Sequence, residues 1–328
     1  MIKKAMTYTK PLKWEKKGLI FKPKGEFSWS KSHAQVPVVD YLEEENIIKV
    51  YYSTRNEEGY SMPGYVLLDG DNPKKIIKIA NEPILQLGEL GCFDDCGVMP
   101  SWLVNRDNGE KWLYYIGWNV RNTIPYHNSI GLAISKDGGE SFAKFSKGPL
   151  WDRNHIEPHY SGTSCVLFHN QIWKNWYLSC TEWRIVDGKS EPRYHIKYAE
   201  SIDGINWKIR GDVAIDYKSP DEAGIVKASV IIEDNTFKMW YSYRLFKDYR
   251  TSVNSSYRIG YAESQDGINW ERMDDSPLAL SVSNDELCWD SLMVEYPHVI
   301  DIKGKRMMFY NGNGFGKSGF GYAQLIKS

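Results

Sequence analysis

Tyr257-Arg258-Ile259-Gly260-Tyr261-Ala262-Glu263-Ser264-Gln265-Asp266-Gly267-Ile268-Asn269-Trp270 decides how the chain reads. A near copy runs from Ile196 through Asp203-Gly204 to Trp207, and a more diverged one from Ile130 through Asp137-Gly138 to Phe142. The copies recur about every 65 residues, the range of propeller blades with long loops. Each is an alternating strand, an S-x-D-G turn and a second strand opened by an aromatic residue. Asp bonds its own backbone and Gly takes positive φ, so Asp-Gly between two β-patterned runs predicts a hairpin.

Working outward from these copies gives five repeats. They open at His33, Gly97, Gly162, Val226 and Val294, and each holds up to four short runs bounded by Gly, Asp, Asn and Pro. Lys13-Trp14-Glu15-Lys16-Lys17-Gly18 resembles the run after each hairpin, as in Asn206-Trp207-Lys208 and Asn269-Trp270-Glu271. The N-terminal strand, about residues 12–21, is therefore expected to complete the last repeat, because pairing the two ends removes two open edges. The expected fold is all-β: one domain over 1–328, a five-bladed β-propeller of four-stranded blades closed by the N-terminal strand. A β-sandwich is the alternative, but it does not predict the repeat. Trp14, Trp207 and Trp270 read as spacers between blades, and Asp137, Asp203 and Asp266 as turn residues.

Composition narrows the partners. With 41 Lys and Arg against 42 Asp and Glu, the net charge of −1 supplies no basic field for nucleic acid or an anionic membrane. No apolar run is long enough to span a bilayer. The first residues lack the apolar core of a signal peptide, and the five cysteines show no zinc-type spacing. These features predict a cytoplasmic protein with reduced thiols.

In a propeller, the loops leading into the first strand of each blade gather at one end of the channel. Here they carry His33; Asp94 and Asp95; Glu157 and His159; Asp221 and Glu222; and Asp290, with Glu295 and His298 just beyond. A second ring lies at the ends of the second strands: Arg55, Trp118, Glu182, Arg244 and Asn313. Carboxylates, Arg, Asn, His and indole at matching positions suit a sugar or sugar phosphate: indoles stack on sugar faces and Arg grips phosphate.

This pattern, with the Y-A-x-S-x-D-G-x-x-W hairpins, resembles the five-bladed propeller glycosidases of glycoside hydrolase families 43, 32, 68 and 130. The stretch from Glu295-Tyr296-Pro297 to Tyr322-Ala323 resembles propellers associated with bacterial surface-glycan synthesis. The resemblance implies a glycoside hydrolase-like enzyme working through paired carboxylates, and the lack of a signal-peptide pattern suggests an intracellular substrate: an oligosaccharide, sugar phosphate or activated sugar. Likeness to family 43 makes Glu157 the acid. The base is Asp94 or Asp95, with Asp290 as competitor; Glu222 would tune pKa, and Glu295 and Glu182 are further candidates. His33, Arg55, Trp118, His159, Arg244, His298 and Asn313 would position substrate. No cofactor is expected, and an axial cation near His33 stays open.

The chain departs from the families in places. The W-x-N-D-P motif of families 32 and 68 is absent, and the blade 1 Asp of family 43 is missing unless Asp40 serves. In the stretch Phe93 to Ser101 that resembles family 130, the acidic residue falls on Met99 and the following Arg on Ser101. These departures support the alternative of a non-catalytic carbohydrate-binding propeller; a protein-interaction propeller is a third reading.

Overall fold

The structure, a computed structural model, describes residues 12–327. The leader-free reading of the first residues falls mostly on 1–11 and so lies outside the described residues. Among the described residues there is no helix. Strand β1 (Leu12–Phe21) opens the chain. Then follow β2 (Ser32–Leu42), β3 (Ile47–Arg55), β4 (Ser61–Asp69) and β5 (Ile76–Ile79), paired antiparallel in that order. The same order repeats in β6 (Gly97–Asn105), β7 (Lys111–Val120), β8 (Tyr126–Ser135) and β9 (Ala143–Lys144). It repeats again in β10 (Ser161–His169), β11 (Ile172–Val186), β12 (Lys189–Ser201) and β13 (Trp207–Ile215). The fourth group is β14 (Glu222–Glu233), β15 (Thr236–Leu245), β16 (Arg258–Ser264) and β17 (Glu271–Arg272). The last three strands are β18 (Glu295–Ile302), β19 (Lys305–Asn311) and β20 (Phe320–Lys327). Their outer neighbour is β1, which pairs with β20 from Leu12↔Lys327 to Phe21↔Phe320. The N-terminal strand thus lies where its likeness to the post-hairpin runs placed it.

The hairpins form for the reason their sequence suggests. Ser264 Oγ accepts from Gly267 N at 2.9 Å, and Asp266 Oδ1 accepts from Ile268 N and Asn269 N, both at 2.8 Å. Gly267 takes φ 77°. Asp203 repeats this set of bonds in the second copy. The aromatic residue that follows packs on the preceding group. Trp270 meets Trp176 edge-on at 6.0 Å, Trp207 meets Tyr114 at 6.2 Å, and Trp14 meets Trp240 at 5.9 Å. Burying such rings contributes about 1.5–3 kcal/mol each, so the core lies between groups as much as within them.

The first strands β6, β10, β14 and β18 are tied side by side, and the last group reaches β2 through β19. Ser101 Oγ accepts from Ser164 N, Thr163 Oγ1 from Lys227 N, Ser229 Oγ from Val299 N, and Asn311 Oδ1 from Val36 N. Each of the first strands breaks register at a matching point: Gln35/Val38, Pro100/Trp102, Ser161/Ser164, Val226/Ser229 and Glu295/His298. Bulges of this kind bend a strand and re-aim its side chains. Here they turn residues of β2, β6, β10 and β14 toward one central cavity.

Candidate functional site

The cavity holds about 500 Å³. Its floor is formed by inner-strand residues Gln35, Met99, Gly162 and Val226. Arg55, Trp118 and Arg244 stand on its wall at the ends of β3, β7 and β15. Each lies four residues beyond matching aromatic positions, Tyr51, Tyr114 and Trp240, and those face Val38, Trp102 and Ser229 of the first strands. The repeat therefore converges these three side chains.

The wall is cationic and phenolic. Arg55 Nε donates to Gln35 Oε1 at 3.1 Å, and burial pulls its pKa down. Arg244 is 2% exposed. It donates to Leu245 O at 2.9 Å, to Pro192 O at 3.2 Å, and to the hydroxyls of Tyr194 and Tyr257 at 3.3 Å. Among the described residues neither arginine forms an ion pair with a carboxylate. Arg250 also reaches the wall, but it is paired with Glu191 at 2.5 Å. Tyr126, Tyr160, Tyr249, Tyr257 and Tyr296 add phenols, and burial raises the pKa of each, keeping it a neutral donor. Trp118 donates Nε1 to Ser61 Oγ at 2.6 Å and so is held in place.

None of the candidate carboxylates is on this wall. Asp94 accepts from Tyr115 OH at 3.0 Å and pairs with Lys144 at 2.6 Å, beside a separate pocket of about 310 Å³. Asp95 points elsewhere and accepts from Gly91 N at 2.9 Å. Glu157 is enclosed by Tyr177 at 2.9 Å, Lys197 at 3.0 and 3.2 Å, and Ser179. Glu222 receives both arms of Arg272 at 2.8 Å. Asp290 holds Lys16 at 2.7 Å and Tyr310 at 3.0 Å. Asp94, Glu157 and Asp290 thus repeat one arrangement: a carboxylate clasped by a second-strand Tyr and a Lys from the third or fourth strand. Glu295 is fully buried, its oxygens meet no donor in hydrogen-bonding geometry, and burial raises its pKa well above the usual carboxyl range.

The remaining candidates lie off the cavity wall. His33 bonds Ser32 at 2.8 Å, and burial beside Arg55 and Lys317 brings its pKa to about 4. Cations on both sides make this a poor place for the axial metal, and among the described residues no group of three His, Cys, Asp or Glu is placed to hold one. His159 is half-exposed on the loop before β10. Glu182 pairs with Arg184 at 2.6 Å and Arg193 at 3.3 Å. His298 stacks on Trp102 at 4.7 Å. Asn313 accepts from Leu292 N and Met293 N and braces a loop.

Sequence reasoning missed Gln35 and the tyrosines. Gln35 was legible through its register with Ser53, which matches Met99 with Ile116 and Val226 with Ser242. Tyr249 lies in an irregular segment that no repeat predicts.

No family model matches the chain. Two Mycobacterium tuberculosis proteins, Uncharacterized protein MT1551 of strain CDC 1551 / Oshkosh and Uncharacterized protein Rv1502 of strain H37Rv, are each 36% identical over 95% of this chain and 99% of their own length. A solved glycoside hydrolase superposes with a TM-score of 0.72 at 16% identity, over 97% of this chain and 92% of that one. Another, from work on the GH130 family of mannoside phosphorylases and its hydrolases of β-1,2 mannosidic linkages in Candida mannan, gives 0.68 at 14% identity, over 98% and 95%. The chain belongs to the family of the M. tuberculosis proteins MT1551 and Rv1502, and it shares its fold with solved glycoside hydrolases.

Proposed function

We propose that this chain is a glycosidase-like carbohydrate-active protein whose central cavity takes an anionic sugar: a sugar phosphate or activated sugar of the kind used in surface-glycan assembly. The five strand groups are read here as the blades of a closed five-bladed propeller, with β1 completing the last; the ties from group to group support this. One observation carries the ligand class. Arg55 and Arg244 reach the wall with only neutral partners, and a buried cation without a counter-ion is costly. A phosphate would supply that charge through paired hydrogen bonds, while Trp118 and the tyrosines cover the sugar.

Hydrolysis by two carboxylates needs both beside one glycosidic bond. Asp94, Glu157, Glu222 and Asp290 are already engaged within their own strand groups, so we read them as braces of the fold. That favours recognition or transfer of a charged sugar over paired-carboxylate hydrolysis. No helix among the described residues is long and apolar enough to cross a membrane.

Calorimetric titration with glucose, galactose and mannose 1-phosphates, UDP-glucose and the neutral hexoses tests the reading. The phosphorylated sugars should bind and the neutral ones should not. Arg55→Met should weaken binding about tenfold or more, the worth of a charge-assisted hydrogen bond. Equal binding of neutral and phosphorylated hexoses, or none by any phosphorylated sugar, would overturn it.

A further inference from the structure

Gln35, Met99, Gly162 and Val226 occupy one position in four of the strand groups, and all four line the cavity. Gln35 faces Ser53, Met99 faces Ile116, and Val226 faces Ser242. A Cβ on Gly162 would touch Leu178, its counterpart in the third group. The same register in the fifth group pairs Glu295 with Asn311. The residue equivalent to these floor positions in the fifth group is therefore a carboxyl, closed off from the cavity lining.

Its surroundings are unlike those of the other acids. Glu295 is 0% exposed, neither oxygen has a donor in hydrogen-bonding geometry, and the side chain nearest to supplying one is the Tyr296 hydroxyl. The charged and titratable groups around it are Arg244 on β15, Tyr257 ahead of β16, and Tyr296 beside it. An orphaned carboxyl in an otherwise well-paired interior costs stability and calls for a reason. Tyr296 takes φ 55° in the bulge of β18, as Val36 does at 54° in β2 and Lys227 at 57° in β14, so this conformation belongs to the repeated bulge. Its ring is on the cavity wall.

We propose that Glu295 is the fifth recognition residue of the cavity, and that its carboxyl bonds a hydroxyl of the sugar once the Tyr296 ring turns aside. The inference rests on the anionic-sugar reading: the arginines hold the phosphate and Glu295 reads the sugar. Burial keeps the acid neutral, so its O–H donates while its carbonyl oxygen accepts. Without ligand the group has no well-formed hydrogen bond, and stability is given up for recognition.

The test uses Glu295→Met and Glu295→Gln in the full chain, with the three hexose 1-phosphates as probes. Met removes the orphaned polar atoms at similar volume. It should melt higher than the parent and bind the phosphorylated hexoses about tenfold more weakly, the scale of one lost hydrogen bond. Gln keeps a donor and an acceptor and should bind within about threefold. Infrared difference spectra should show a carboxylic-acid carbonyl band in the parent that is absent from Glu295→Gln and shifts when a hexose phosphate binds. If the parent binds while Glu295→Met binds equally well, or the band does not move, the inference fails and the anionic-sugar reading stands. If no phosphorylated hexose binds the parent, that reading fails and this inference with it.

Discussion

Asp290 and Glu295 belong to the same strand group, yet the fold treats them in opposite ways. Asp290 accepts from Tyr310 and pairs with Lys16. Glu295, beside the cavity, accepts from nothing. The contrast holds for whole regions. On the loops leading into the groups, or at the first residue of β14 for Glu222, the acids Asp94, Glu157, Glu222 and Asp290 all have a cation in contact. Around the cavity, Arg55 and Arg244 lack carboxylates, and Glu295 lacks donors. The lesson is that an acid's position in a repeat does not reveal its role; whether its bonding capacity is used within the fold does. Asp94, Glu157 and Asp290, three acids at matching positions, looked catalytic because propeller channels collect such residues, but the recurrence also fits a brace copied with the strand group.

If the first region is a set of braces, breaking one from the cation side should have the largest effect. Lys197→Met leaves Glu157 buried with only Tyr177 and Ser179 as donors. The expected loss is about 3–5 kcal/mol of unfolding free energy by urea denaturation, the usual penalty for an uncompensated buried charge. Adding Glu157→Gln should recover most of it. A loss below about 1 kcal/mol would mean that Glu157 does not depend on its lysine, and would return it to the list of free acids.

Lys227, next to the floor residue Val226 but off the cavity lining, should respond in the other direction, because the fold does not satisfy it. Lys227 is fully buried; its ammonium lies 4.9 Å from the Trp102 ring centre, and Nζ meets no acceptor. Burial brings its pKa down to about 8. The sign follows from proton counts: between pH 8 and the lysine's ordinary value near 10.5, the unfolded chain binds the extra proton. The penalty is therefore fully present below pH 8 and fades as pH rises through that window. Lys227→Met should stabilise the protein at pH 7 by a few kcal/mol and flatten its stability between pH 8 and 10. Melting curves of both proteins across that range decide it; an unchanged slope in the variant would mean that Lys227 finds an acceptor.

The sequence carried the strand order for a physical reason. Hairpin turns and their flanking alternation are local, so Ser264, Asp266, Gly267 and Trp270 contain most of what their hairpin needs. Pairing of β1 with β20 was legible too, because Lys13-Trp14-Glu15 repeats the pattern of strands elsewhere. Arg55, Trp118 and Arg244 were found by the same register argument. What was not legible depends on contacts between distant residues. Lys16 reaches Asp290 across 274 positions, and Lys144 reaches Asp94 from an outer strand, so no local pattern showed that these acids were taken. The concealment of Glu295 depends on a bulge whose sign, Tyr296 before Pro297, was visible but had no partner to interpret it.

The smallest effect is expected at the turns, where the comparison is sharpened by acids that are satisfied entirely by backbone. Asp137, Asp203 and Asp266 each accept neighbouring backbone N–H groups, and these bonds hold their carboxyls well below the usual range. A depressed carboxyl contributes stability that is complete above its unfolded value near 4 and is lost as pH falls through the lower folded value. Asp266→Ala removes the acceptor for Ile268 N and Asn269 N at an exposed site, where water replaces both bonds. The cost should be about 1 kcal/mol at pH 7. It should shrink as pH falls from 4 toward 2, because the parent loses the same interaction there. Binding of the phosphorylated hexoses should not change, since the hairpin lies off the cavity wall. A variant that kept the full difference at pH 2 would show that Asp266 acts through the shape of its side chain rather than through its charge.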